Sequence, residues 1–130
     1  MFNPICIEVS PGDLVDKLTI LEIKLEQIKN EEQLKNIRTE YETIKHSFNS
    51  NLKASPKLDK LLANLKSINQ KLWDIEDEIR KFEREKKFNE RFIELARLVY
   101  ITNDKRAKVK REINQLFKSK IVEEKSYTDY

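Results

Sequence analysis

The sequence predicts an all-α fold: a long antiparallel helical hairpin, with two shorter helices completing a four-helix bundle at one end. Three observations predict it. Turn formers are scarce, with one glycine and three prolines in 130 residues, while residues that helices accept readily abound. Apolar and charged residues each make up 38% of the chain, the balance an amphipathic helix needs. The apolar residues recur at steps of three and four, a regularity that a disordered charged chain lacks. A length of 130 residues suits a single domain with one modest core, spanning residues 1–130.

The elements follow in order. Residues 1–9 read as an extended arm, because Ile5, Ile7 and Val9 alternate with Cys6 and Glu8. No strand partner stands nearby except the equally short tail, so the arm is expected to tuck against helices; pairing with another chain stays open. Ser10, Pro11 and Asp13 then form a helix start, with a capping hydroxyl, a proline in the first turn and an acid at the positive end of the helix dipole. Leu14, Leu18, Leu21, Leu25 and Ile28 follow one stripe, while Val15, Ile20 and Ile23 lie on other faces. A helix apolar on several sides is central or shared with a partner.

Asn30 and Gln33 mark a new cap or a kink, after which Leu34, Ile37, Tyr41, Ile44 and Phe48 restart a stripe. The stretch NSNLKASP is a loop, and Ser55, Pro56 and Asp59 start the next helix. That helix carries the most regular seam: Leu58, Leu61, Leu65, Ile68, Leu72, Ile75, Ile79 and Phe82. With its predecessor it should make a hairpin of helices, residues 30–65 forming the distal arm. A break near Phe88 and Asn89 leads to a short helix through Phe92, Leu95, Ala96 and Val99. Thr102, Asn103 and Asp104 read as a stop and restart, followed by a last helix facing inward through Val109, Ile113 and Leu116. Residues 121–130 are an irregular tail.

Composition excludes several function classes. Net charge is +3, too balanced for a general polyanion binder, although residues 101–120 carry seven basic side chains against two acidic ones. Those charges spread around the helix without an aromatic stacking set, so nucleic acid is not the expected partner. Cys6 is the only cysteine, which rules out an intrachain disulfide and a Cys-based zinc site and fits a reducing, cytoplasmic setting. No basic segment followed by an apolar run opens the chain, and no apolar stretch approaches a membrane span, so neither a signal peptide nor a membrane is expected. His46 is the only histidine, and no glycine-rich phosphate loop or nucleophile elbow is present.

Two constellations remain. In LWDIEDEIR, Trp73 lies off the seam of its own helix, with Glu76, Asp77 and Arg80 on its side. An exposed tryptophan would leave about 2 kcal/mol of burial unused, so this side is expected to meet another helix, a subunit or a ligand. Glu76 and Arg80 alone are an ordinary i, i+4 surface pair. In YITNDKRAKVKREIN, the ladder Asn103, Arg106, Lys110 and Asn114 runs beside the apolar stripe. Arg106 comes close to the apolar centre, where a guanidinium needs a carboxylate or an anionic ligand. Glu22, Glu76 and Asp77 are the candidate acids, and Arg97 could join from the preceding helix. A structural ion-pair network and a pocket for a phosphate or carboxylate both answer this description. The pairs Asp13 with Asp16 and Asp74 with Asp77 have the spacing of acids that could hold magnesium; no metal is the expectation.

SPGDLVDKLTILEIK, LWDIEDEIR, FIELARLVYITNDKRAKVKREIN and IVEEKSY together resemble a family of short helical bacterial proteins of unknown function, often encoded near glycosyltransferase and surface-polysaccharide genes. The resemblance covers most of the chain outside residues 30–65. It implies a setting in sugar or polysaccharide assembly, and it adds a location: its motif segments, with Lys17 and Glu22, Trp73 to Arg80, Arg97 to Lys110 and Glu123 to Tyr127, place any site at the proximal end where four helices meet, away from the distal hairpin. The expected function is a helical binding module, homodimeric and without chemistry of its own, docking a glycosyltransferase-type partner. The alternative is a small enzyme or sensor. There Arg80, Arg97, Arg106 and Lys110 would bind an anionic small molecule, while Glu22, Glu76 or Asp77 would hold magnesium or move a proton.

Overall fold

A computed structural model of the chain describes residues 2–130. Four helices make up the body: α1 (Pro11–Gln27), α2 (Glu31–Asn51), α3 (Pro56–Arg84) and α4 (Glu90–Leu116). No strand is present among the described residues. The fold is all-α and packed as a bundle, as the apolar periodicity requires.

Each helix starts on a side-chain cap that satisfies a backbone N–H the helix cannot. Ser10 Oγ accepts from the Asp13 amide at 3.1 Å and Ser55 Oγ from the Leu58 amide at 3.1 Å. Asn30 Oδ1 accepts from the Gln33 amide at 2.9 Å, so the chain stops and restarts there, and Asn89 Oδ1 accepts from the Phe92 amide at 3.1 Å. Both α3 and α4 end in a paired backbone closure around a lysine in the left-handed region, Lys86 at φ 56° and Lys118 at φ 53°. This is the Schellman arrangement, in which glycine is the usual occupant.

α1 packs against all three other helices, which explains its apolar residues on several faces. Val15, Leu18, Leu21 and Ile23 are all buried. The central cluster joins Val15 to Leu58, Leu61 and Leu65 of α3 and to Val109 and Ile113 of α4, with Phe48 and Leu52 packed on its edge.

Three details differ from the sequence expectation. First, α4 is one continuous helix, not two short ones. Glu90–Leu116 contains no glycine or proline, and Thr102 takes a buried seam position between Leu95 and Val109, so polar residues alone do not stop the helix. Second, α3 lies along α4, and α2 lies along α1; the α2 and α3 backbones do not run side by side. The seam of α3 is therefore covered by α1 and α4. Third, the arm of residues 2–9 does not tuck in: Phe2, Ile5 and Ile7 are 80%, 83% and 78% exposed. Residues 121–130 form no helix, and the chain folds back along α4 there as an extended strap.

Candidate functional site

Gly12 is the feature that brings α1 and α4 together. Its amide donates to Asn114 Oδ1 at 2.7 Å, and a Cβ at this position would stand 2.5 Å from the Lys110 carbonyl oxygen. Backbone approach this close needs a residue without a side chain. One turn further along α1, Asp16 faces α4 and meets Arg106, whose guanidinium grips the carboxylate with two donors. Arg106 Nε donates to Asp16 Oδ1 at 2.9 Å, and Nη2 donates to Oδ2.

α3 completes the arrangement. Asn69 Nδ2 donates to Asp16 Oδ1 at 2.9 Å and to Thr19 Oγ1 at 3.0 Å, and Thr19 Oγ1 donates to the Asp16 carbonyl at 2.8 Å. Asn103 Oδ1 accepts from Arg106 Nη1 at 3.3 Å. Asp16, Thr19 and Asn69 are all buried, and buried polar groups are stable when satisfied in this way. Lys110 forms a second node, with its Nζ at 2.9 Å from Asp13 and 3.1 Å from Glu123 of the strap.

The electrostatics follow from these contacts. Burial pushes the Asp16 carboxyl up, but hydrogen bonds from Arg106 and Asn69 and the charges of Arg106 and Lys110 outweigh it, leaving it below its ordinary value. The Arg106 guanidinium is raised by its bond to Asp16 against the opposing effect of burial. Burial alone would lower Lys110, yet its bonds to Asp13 and Glu123 raise it. Asp16, Arg106 and Lys110 are thus driven further from neutrality, the reverse of what proton transfer at neutral pH requires.

Beside this network lies a cleft of about 440 Å³ between α1, α3 and α4. Ile20, Ile23, Leu72, Trp73 and Val99 supply its apolar walls, and Glu76, Asp77, Arg80, Asn103 and Arg106 its polar ones. The side of α3 carrying Trp73 therefore meets α1 and α4 across an open groove, and the indole is half-buried.

The sequence candidates divide. Trp73, Glu76, Asp77, Arg80, Asn103 and Arg106 share the cleft. Lys110 and Asn114 sit nearer the α1 start, engaged with Asp13 and Gly12. Arg80 is 76% exposed on the rim, paired with Glu76 at 3.1 Å. Arg97 is exposed and does not line the cleft. Lys17 pairs with Glu40 of α2 at 3.0 Å, and Glu22 stands 3.9 Å from Lys66. The acid that holds Arg106 is Asp16, not Glu22, Glu76 or Asp77. Asp13 and Asp16 are each committed to a cation, and among the described residues no group of three or more acidic, histidine or cysteine side chains is placed to hold a metal ion.

The network residues that sequence reasoning passed over are Thr19 and Asn69, polar positions hidden beside apolar seams, and Gly12. The last had a signal, since it is the only glycine of the chain and lies inside a helix. Thr102 Oγ1 is buried without a partner. Thr102→Val removes that orphan hydroxyl at nearly constant shape and is expected to raise stability by about 1 kcal/mol, read from urea unfolding. A clear loss of stability would show that the hydroxyl has a partner.

A model of a family described as a family of unknown function (DUF6165) matches residues 5–130. No curated protein and no solved structure matches the chain. Among the described residues, no helix is long and apolar enough to cross a membrane.

Proposed function

We propose that this chain, which belongs to the DUF6165 family, is a helical interaction module that self-associates and carries no chemistry of its own. The single observation behind the proposal is the arm. Phe2, Ile5 and Ile7 project into water at 80%, 83% and 78% exposure, left uncovered by the other described residues. Apolar side chains clustered and left in water mark an association surface. Extended backbone next to them offers unpaired N–H and C=O groups for strand-like docking.

The amphipathic cleft at Trp73 suits a docked protein segment of a partner, with aromatic and aliphatic walls and a polar rim. A cytoplasmic location, suggested by the lone Cys6, belongs to the same proposal, as does a setting in bacterial sugar or polysaccharide assembly with a glycosyltransferase-type partner. This reading is preferred to an anion-binding enzyme or sensor because the two best-enclosed cations, Arg106 and Lys110, already hold carboxylates of their own chain. A phosphate or carboxylate ligand would meet cations whose charge Asp16 and Asp13 already offset.

Light scattering across a range of concentrations tests the proposal. The native chain is expected at twice its monomer mass, and the Ile5→Asp/Ile7→Asp variant as a monomer with unchanged helical circular dichroism. A native chain of monomer mass at every concentration would remove self-association.

A further inference from the structure

The cleft at Trp73 is lined by polar groups whose hydrogen bonding is only partly complete. Asn69, Trp73 and Asp77 stand four residues apart on α3, so they share one face of it, and all three line the cleft. Asn103 and Arg106 line it from α4. Asn69 is 5% exposed. The Asp16 carboxylate can only accept, so it fixes the Asn69 amide with Nδ2 toward the network, and both Nδ2 protons are used, on Asp16 and on Thr19. Asn69 Oδ1 then accepts from no protein donor among the described residues. It is not sealed in either, because Thr102 Oγ1 is the only fully enclosed side-chain polar atom without a partner among those residues. The free carbonyl therefore opens to the cleft that Asn69 lines.

Asn103 is oriented by the same logic from the other wall. A guanidinium can only donate, so Asn103 Oδ1 faces Arg106 and its Nδ2 donors are left over. Arg106 spends its Nε proton, one Nη1 proton and one Nη2 proton on Asp16 and Asn103, which leaves one proton on each terminal nitrogen. Asp16 already offsets its charge, so these spare donors suit a neutral carbonyl oxygen better than an anion. At the rim, Glu76 is engaged with Arg80, while Asp77 forms no ion pair among the described residues. The cleft thus offers an acceptor and donors of no net demand for charge at its floor, apolar walls at Leu72, Trp73 and Val99, and an unmatched negative charge at its mouth.

We propose that the cleft binds an extended segment of a partner protein through one peptide group, one apolar side chain and one basic side chain. The inference rests on the docking reading of the cleft given above and deepens it by naming the chemistry of the segment. A peptide group supplies what the floor lacks: its N–H donates to Asn69 Oδ1, and its carbonyl accepts from Arg106 or Asn103. The apolar side chain packs on Trp73. The lysine or arginine of the segment meets Asp77. Asn69 and Asp77 are about 12 Å apart along the α3 axis, the reach of about three to four residues of extended chain. Apolar and basic side chains two positions apart in such a segment point to the same side, toward the cleft.

Trp73 is the only tryptophan of the chain, so its fluorescence reports the cleft directly. The full chain is titrated with acetyl-Ala-Leu-Ala-Lys-amide, with the same peptide carrying Gln or Glu in place of Lys, and with glucose and adenosine. The Lys peptide is expected to shift the Trp73 emission saturably and to bind roughly fivefold more tightly than the Gln peptide, the modest gain of an ion pair on an exposed rim. Asp77→Asn, at an exposed position, should erase that preference and keep the binding. Val99→Phe fills the cleft and should abolish the shift with helical circular dichroism unchanged. The absence of a saturable shift from every peptide would overturn the proposal. So would a shift from glucose or adenosine alone, or a preference for Lys that survives Asp77→Asn. Light scattering on the same samples keeps the two readings apart. A dimer whose Trp73 stays silent overturns the peptide site and leaves self-association standing; a monomer that binds the Lys peptide removes self-association and supports the site.

Discussion

Arg106→Ala is expected to destabilise the protein by about 3 kcal/mol, a large fraction of the roughly 5–15 kcal/mol that holds a domain of this kind folded. The reason lies less in what Arg106 contributes than in what its removal strands. Asp16 keeps 8% side-chain exposure, and its carboxylate would lose two of its three side-chain donors, retaining Asn69 alone. An uncompensated buried charge is the expensive product of breaking such a pair. Arg106→Lys should recover only part of the loss, because an ammonium cannot grip both carboxylate oxygens in one plane.

The pH dependence carries the same signature. Asp16 is held below its ordinary value of 3.8, so the folded state binds its proton less readily than the unfolded state. The stabilisation is therefore fully present above the unfolded value and is lost as pH falls through the folded one. In Arg106→Ala the remaining influence of burial favours the protonated carboxyl. The gap in unfolding free energy between native and variant should be widest near neutrality and shrink below about pH 4. Urea unfolding at several pH values measures it. A gap independent of pH would mean that the pair does not hold Asp16 ionised.

Gly12→Ala is the second large effect, an expected loss of about 2 kcal/mol. In an isolated helix the exchange would help, since alanine is the better helix former by about 1 kcal/mol. Here the added methyl would stand 2.5 Å from the Lys110 carbonyl oxygen and 2.9 Å from Asn114 Oδ1. The first of these belongs to the backbone of a helix and cannot step aside alone, so α1 and α4 must separate. Separation stretches the Gly12–Asn114 bond, then the Asp13–Lys110 pair, then the Asp16–Arg106 grip, all on the same two helices. Thermal unfolding of Gly12→Ala beside Gly12→Ser separates the causes: both should lose stability. A Gly12→Ala protein more stable than the native one would show that helix propensity, not the close approach, decides.

Much of the fold was legible because its signals are local. Ser10, Asn30, Ser55 and Asn89 are caps that act within their own turn, and the three-and-four spacing reports which face of a helix is apolar. What spacing does not report is which helix covers that face. Leu58, Leu61 and Leu65 announce a seam, yet their burial against Val15, Val109 and Ile113 depends on how α1 enters between its neighbours. The site divided along the same line. The demand of Arg106 for a carboxylate could be read from its place near an apolar stripe. The identity of the partner could not, because 90 positions of chain separate it from Asp16 and the register between α1 and α4 is set by Gly12. Thr102, Asn103 and Asp104 misled as a helix stop because their cap-forming side chains are equally at home inside a long helix once packing holds it.

The position of α2 has a consequence for cooperativity. Ile37 is its one buried residue, and its backbone neighbours α1 alone. Only Phe48 and Leu52, at and just beyond its end, reach the central cluster. The molecule thus has two tiers. The upper one, most of α2, can undergo sub-global opening while Val15, Leu65 and Ile113 stay sealed within the lower. The polar grip on Asp16 is made by Asn69 of α3 and Arg106 of α4, with no hydrogen bond from α2, so opening of α2 leaves its partners in place.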